Sequence, residues 1–158
     1  MRASILKAIA RCCNTDGSYG LDKVVLNKGY IYASDSYVIV RLGWFENAAR
    51  RFDGPAEIDV SKIRCLKPSE DVDPIDLATE RVRPVPDLDG NLELAGGRIT
   101  REKFVVKTDP GLLCKVAAVF READVDMEIE DRCELLAAHG VGDGYVVDAI
   151  VMNKRRQR

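Results

Sequence analysis

Apolar positions along this chain change period twice, and the two changes follow the same order. From Arg2 to Cys13, Ile5, Leu6, Ile9, Cys12 and Cys13 recur every three or four residues. At about 100° per residue they gather on one side of a helix, with Ser4, Lys7 and Arg11 opposite and no acidic side chain on either face. Asn14-Thr15-Asp16-Gly17-Ser18 supplies stop and turn residues, after which strands are predicted at 22–26, 30–33 and 37–42. Asn27-Lys28-Gly29 suits a hairpin turn, since Gly29 tolerates a positive φ. A second helix is predicted from Pro110 to about Ala123, because Asp109 is a natural N-cap and proline fits the first helical position. Leu112, Leu113, Val116, Val119, Phe120 and Ala123 form its apolar face; Cys114, Lys115, Ala118, Arg121 and Glu122 form the other. Strands follow at 126–130, 134–138 and 145–152, the last two joined by a glycine-rich turn from His139 to Gly144.

The middle is less periodic. Residues 56–60 alternate as a strand does, and Ser61 is placed to cap a short helix through Leu66. Residues 67–90 form an acidic connector punctuated by Pro68, Pro74, Pro84 and Pro86, with at most brief strands. Residues 91–99 suit a hairpin around Gly96-Gly97, and 103–107 a strand leading into the second helix. One helix followed by three strands therefore occurs twice. This predicts an α+β fold in which two antiparallel sheets each carry one helix, related by a pseudo-twofold axis. All 158 residues form one domain: a first half at about 1–66, the connector, a second half at about 91–153, and a basic tail at 154–158.

Composition narrows the classes. The chain is 46% hydrophobic and 32% charged, ordinary for a soluble globular protein. No apolar run is long enough to span a bilayer, and Lys7 and Arg11 interrupt any signal-peptide core, so a cytoplasmic location and no membrane partner are expected. A net charge of −2 excludes a surface that is basic throughout, but not one basic face. The five cysteines show no C-x-x-C spacing, and adjacent Cys12 and Cys13 are poorly placed to share a metal with the lone His139, so buried thiols are expected and neither metal nor cofactor. Glu70, Asp71, Asp73, Asp76 and Glu80 lie in the connector without a companion His or Lys pattern, and nucleophile signatures are absent. The chain is therefore expected to be no enzyme.

Ala33-Ser34-Asp35-Ser36-Tyr37-Val38-Ile39 resembles the Ala-Thr-Asp-Gly-aromatic-Arg-Leu motif of the bacterial DNA polymerase III β sliding clamp, and Ile150-Val151-Met152-Asn153-Lys154-Arg155 is similar to that family's terminal Val-Ile-Met-Pro-Met-Arg. Arg83-Pro84-Val85-Pro86-Asp87 is similar to its Phe-Pro-Asp element. Phe104-Val105-Val106-Lys107 leading into Leu112-Leu113 resembles the strand that enters a clamp helix. Ser36 stands for the family's glycine, Val38 for its arginine, and Asn153-Lys154 for Pro-Met. The bacterial clamp builds its ring from several such domains per chain, while this chain has room for one.

The resemblance implies a DNA-clamp (processivity) fold and a phage-like, single-domain, non-catalytic role as a processivity factor or clamp-related adaptor. A sliding ring holds duplex without reading it, so it uses delocalised positive charge and no base-edge contacts. Non-specific double-stranded DNA is thus the implied partner of Lys7, Arg11, Lys115 and Arg121. Polymerase or other clamp-binding peptide tails are the implied partners of Ser34, Ser36, Tyr37, Ile39 and Met152. Encircling DNA implies a homo-oligomer.

A second likeness competes. Residues 108–120 resemble the Pro-Gly-Leu-Leu helix start of an ACT-type amino-acid-binding regulatory domain, and Val125-Asp126-Met127-Glu128-Ile129 continues it. Such a domain requires another helix before its last strand, where residues 134–152 offer a hairpin.

Overall fold

The computed structural model describes residues 1–17, 20–44, 55–80, 108–132 and 135–152. The predicted hairpin at 91–99, the strand at 103–107, the Arg83–Asp87 and Phe104–Lys107 segments and the tail at 154–158 lie outside them. The elements are α1 (Ala3–Ala10), β1 (Lys23–Asn27), β2 (Tyr30–Ser34), β3 (Val38–Trp44), β4 (Ala56–Asp59), α2 (Val60–Arg64), α3 (Pro74–Leu77), β5 (Thr79–Glu80), α4 (Pro110–Glu122), β6 (Glu128–Asp131), β7 (Leu135–Val141) and β8 (Tyr145–Met152). Among the described residues no helix is long and apolar enough to cross a membrane.

The strands form one eight-stranded sheet in the order β5-β4-β1-β2-β3-β8-β7-β6, with every neighbouring pair antiparallel. This corrects the expectation of two sheets. β3 and β8 pair over seven positions, from Val38 opposite Val151 to Trp44 opposite Tyr145. Both strands turn apolar side chains to the same side: Val38, Val40 and Leu42 from one, Val147, Ala149 and Val151 from the other, all buried. Pairing them satisfies two rows of backbone groups and makes one continuous apolar surface, whereas two separate sheets would leave two long exposed edges.

Helices α1 and α4 cover that surface. Ile5, Leu6 and Ile9 of α1 and Val116, Val119 and Phe120 of α4 are at most 2% exposed, and each such side chain contributes about 1.5–3 kcal/mol on burial. The helices run antiparallel side by side. Arg2, at the start of α1, donates through Nη2 to the Glu122 carbonyl at the end of α4 (3.2 Å), while Cys12, just past α1, lies 3.8 Å from the Lys115 carbonyl. The two apolar faces predicted from periodicity are the buried ones.

The connector is more ordered than its composition suggests. α1 has no side-chain cap; instead its first amides donate to the connector, Ala3 N to the Glu70 carbonyl (2.8 Å) and Ser4 N to that of Pro68 (3.0 Å). These are donors a helix cannot satisfy internally. The chain then forms α3, where Asp73 accepts from Ile75 N at 3.0 Å, and adds β5 to the edge of β4.

The β1–β2 turn follows its residues. Lys28 and Gly29 both take positive φ (50° and 82°) in a two-residue hairpin loop flanked by the Asn27–Tyr30 pair. The glycine-rich turn expected from 139 to 144 is shorter: β7 runs through Val141, so His139 and Gly140 are strand residues. Gly140 serves a close approach rather than a turn, because a Cβ there would overlap the Asp126 carbonyl oxygen.

Candidate functional site

Four basic side chains on the helix layer were expected to act together, and they divide into two groups. Lys7 and Arg11 sit on the outer face of α1 beside α2. Lys7 Nζ donates to the Arg64 carbonyl at 2.9 Å, satisfying an end of α2. Lys7, Arg11 and Arg64 rim a cleft of about 130 Å³ whose apolar floor is Ala10, Val60 and Ile63. Lys115 is committed elsewhere. Its Nζ lies 3.1 Å from Asp35 Oδ2 in the turn between β2 and β3. The other oxygen of Asp35 accepts from Tyr37 N and Val38 N, both at 2.9 Å. Arg121 is well exposed and 3.5 Å from Glu122.

The two cysteines behind this layer are buried. Burial, reinforced by the negative charge of Asp35, pushes the Cys12 thiol up to about 12, with Lys115 opposing. Burial also pushes Cys13 to about 12, helped by Cys12, Asp22 and Asp35 and opposed by its hydrogen bond with the Ser34 backbone. Such thiols stay protonated and are poor nucleophiles and metal ligands.

The five peptide-site candidates cluster near one end of the opposite sheet face, with distinct roles. Tyr37 and Met152 are 48% and 50% exposed and adjacent, joined by Met152 N donating to the Tyr37 carbonyl at 2.8 Å. Ile39 is half-buried and packs against the Val25–Tyr32 cluster. Ser36 is exposed at φ 80°, a conformation that favours glycine. Ser34 is no surface residue: it is buried, and its Oγ accepts from Ser36 N at 3.3 Å, holding the turn.

Sequence reasoning missed two features. Arg64 joins Lys7 and Arg11 only because α2 docks beside α1, and nothing in its local sequence announces this. The second is a polar row across the outer face: Tyr32, Arg41, Asp148, His139 and Glu128 are successive register partners. Arg41 grips Asp148 Oδ2 through Nη2 (2.8 Å) and Nε (3.2 Å), and its guanidinium carbon lies 4.7 Å above the Tyr30 ring. His139 Nδ1 shares a 2.5 Å hydrogen bond with Asp148 Oδ1. Burial works against the Arg41 charge, but the hydrogen bonds and charge of Asp148 outweigh it and raise the Arg41 pKa. Both Asp148 oxygens are engaged, so the row ties β3, β8 and β7 together rather than presenting a free base. Arg41 and Asp148 were legible as outward positions between buried neighbours; that they meet needed the register.

No protein-family model, curated protein or solved structure matches the chain.

Proposed function

We propose that this chain is a non-catalytic, clamp-like protein that binds duplex DNA without regard to sequence through its helix layer. One observation carries this proposal. α1 with β1-β2-β3 and α4 with β6-β7-β8 meet through the antiparallel β3–β8 pair, and their helices lie antiparallel on one side. The order of strands outward from the Arg41–Asp148 pair is the same on both sides, which supports reading the two halves as the repeated units of a clamp domain. Ser36 supports the reading, since its positive φ falls where the clamp motif carries glycine. The basic edge of α1 is the DNA-facing surface. On the opposite face, Tyr37, Ile39 and Met152 would receive polymerase-type peptide tails, and β5 and β6 would join copies of the chain into a ring.

Fluorescence anisotropy with a labelled duplex tests the DNA contact. Replacing Lys7, Arg11, Lys115 and Arg121 by Ala should abolish binding and flatten its dependence on salt. Equal affinity in the quadruple variant would remove the helix layer as the contact face. Light scattering tests the ring, and a monomer at high concentration would end the encircling mechanism. The ACT-type alternative has little support: between α4 and β8 the described residues contain only strands and turns. Free amino acids should therefore leave the melting temperature unchanged.

A further inference from the structure

Several described cations are neutralised by a carboxylate: Lys23 by Glu57 and Asp59, Arg41 by Asp148, Lys115 by Asp35, Arg121 by Glu122 and Arg132 by Glu130. Among the described residues Arg2, Lys7, Arg11, Lys28, Lys62, Arg64 and Lys67 have no carboxylate partner, and of these Lys7, Arg11 and Arg64 line one cleft between α1 and α2. Three like charges around a shared cleft repel one another unless an anion sits between them. We infer that this cleft is a phosphate-binding site, taking a phosphodiester of duplex DNA or a free phosphate group.

The chemistry fits the class. Arginine presents a planar fork that matches phosphate oxygens two at a time, and lysine adds a compact point charge. Lys7 spends one of its three donors on the Arg64 carbonyl. That bond ties α1 to α2 and sets the width of the cleft before any ligand arrives. Ala10, Val60 and Ile63 keep the floor apolar, so charge interactions at the rim are less screened than on an open surface. The volume of about 130 Å³ holds roughly four waters or one phosphate group. Lys115, occupied by Asp35, contributes little.

For its macromolecular ligand the inference rests on the DNA-binding proposal, and the experiment separates the two. Duplex binding is followed by anisotropy across salt concentrations, and pyrophosphate binding by calorimetry. Arg11→Gln and Arg64→Gln should each weaken duplex binding about tenfold. Each should also lower the slope of log affinity against log salt by about one. Lys28→Gln, an exposed position in the β1–β2 turn away from the helix layer, should leave both unchanged. Both arginines are exposed, so their variants retain the fold. Duplex binding that depends on Lys115 and Arg121 but not on Arg11 and Arg64 overturns the cleft and leaves the DNA proposal standing. No duplex binding by the wild type, with pyrophosphate bound and lost in the R11Q/R64Q double variant, supports the cleft as a free-phosphate site and removes the DNA proposal. Neither ligand bound through Arg11 and Arg64 overturns the cleft.

Discussion

Asp35 is the residue through which the fold and the basic face are coupled, and a double-mutant cycle with Lys115 tests that coupling. One carboxylate oxygen accepts from two turn amides at 2.9 Å, and the other faces Lys115 Nζ at 3.1 Å. The Asp35 side chain is 11% exposed and that of Lys115 40%. Hydrogen bonds to a charged acceptor contribute about 1.5 kcal/mol or more each, so Asp35→Ala should lose about 3 kcal/mol from the turn alone. At this chain length that lowers the melting temperature by about 9 °C. The half-exposed ion pair is worth about 1 kcal/mol at most, and this is the expected loss in Lys115→Ala. Asp35→Asn keeps an acceptor for the turn and removes the charge, so Lys115→Ala made on that background should cost almost nothing. Urea unfolding of the four proteins gives the coupling energy, expected near 1 kcal/mol. A coupling of zero would mean that Lys115 is not held by Asp35. Lys115 would then be free for DNA, and the division of the basic residues argued above would fail.

Ser36 holds φ 80°, so Ser36→Gly should raise stability by about 0.5 kcal/mol, seen as a higher urea midpoint; a lower midpoint would show that its side chain does more than occupy the turn. Cys12 and Cys13 titrate near 12 when folded against an ordinary 9.0. Above pH 9 the unfolded chain therefore releases protons that the folded chain keeps. The contribution of these thiols to stability should be constant below pH 9 and fall as pH rises from there to about 12, by up to about 1.4 kcal/mol per pH unit for each thiol. Cys12→Val should make that slope shallower than in wild type, and native alkylation mapped by mass spectrometry should mark exposed Cys65 and Cys114 but not Cys12 or Cys13. Rapid labelling of Cys12 would contradict its burial.

Local physics was legible in the sequence. A period near 3.6 in residues 5–12 and 112–123 identified both apolar helix faces, because side chains three and four apart share a face whatever packs on them. The Asp109-Pro110 start and the Lys28-Gly29 turn were readable because a cap and a positive φ are decided by a few neighbouring residues. Local signals erred where a glycine has two uses: Gly140 looked like a turn and is a strand residue that lets β7 pass close to Asp126.

Tertiary structure decided everything that depends on which elements meet. β3 and β8 are more than a hundred residues apart, and their pairing fused the two expected sheets into one and set Arg41 against Asp148. Docking of α2 beside α1 brought Arg64 to Lys7 and Arg11, while the turn after β2 drew Lys115 away to Asp35. Periodicity tells which side of an element is buried, since burial responds to each residue's own apolar area. It carries no term for the distant partner, and so the composition of a charged cleft emerges only when the chain closes on itself.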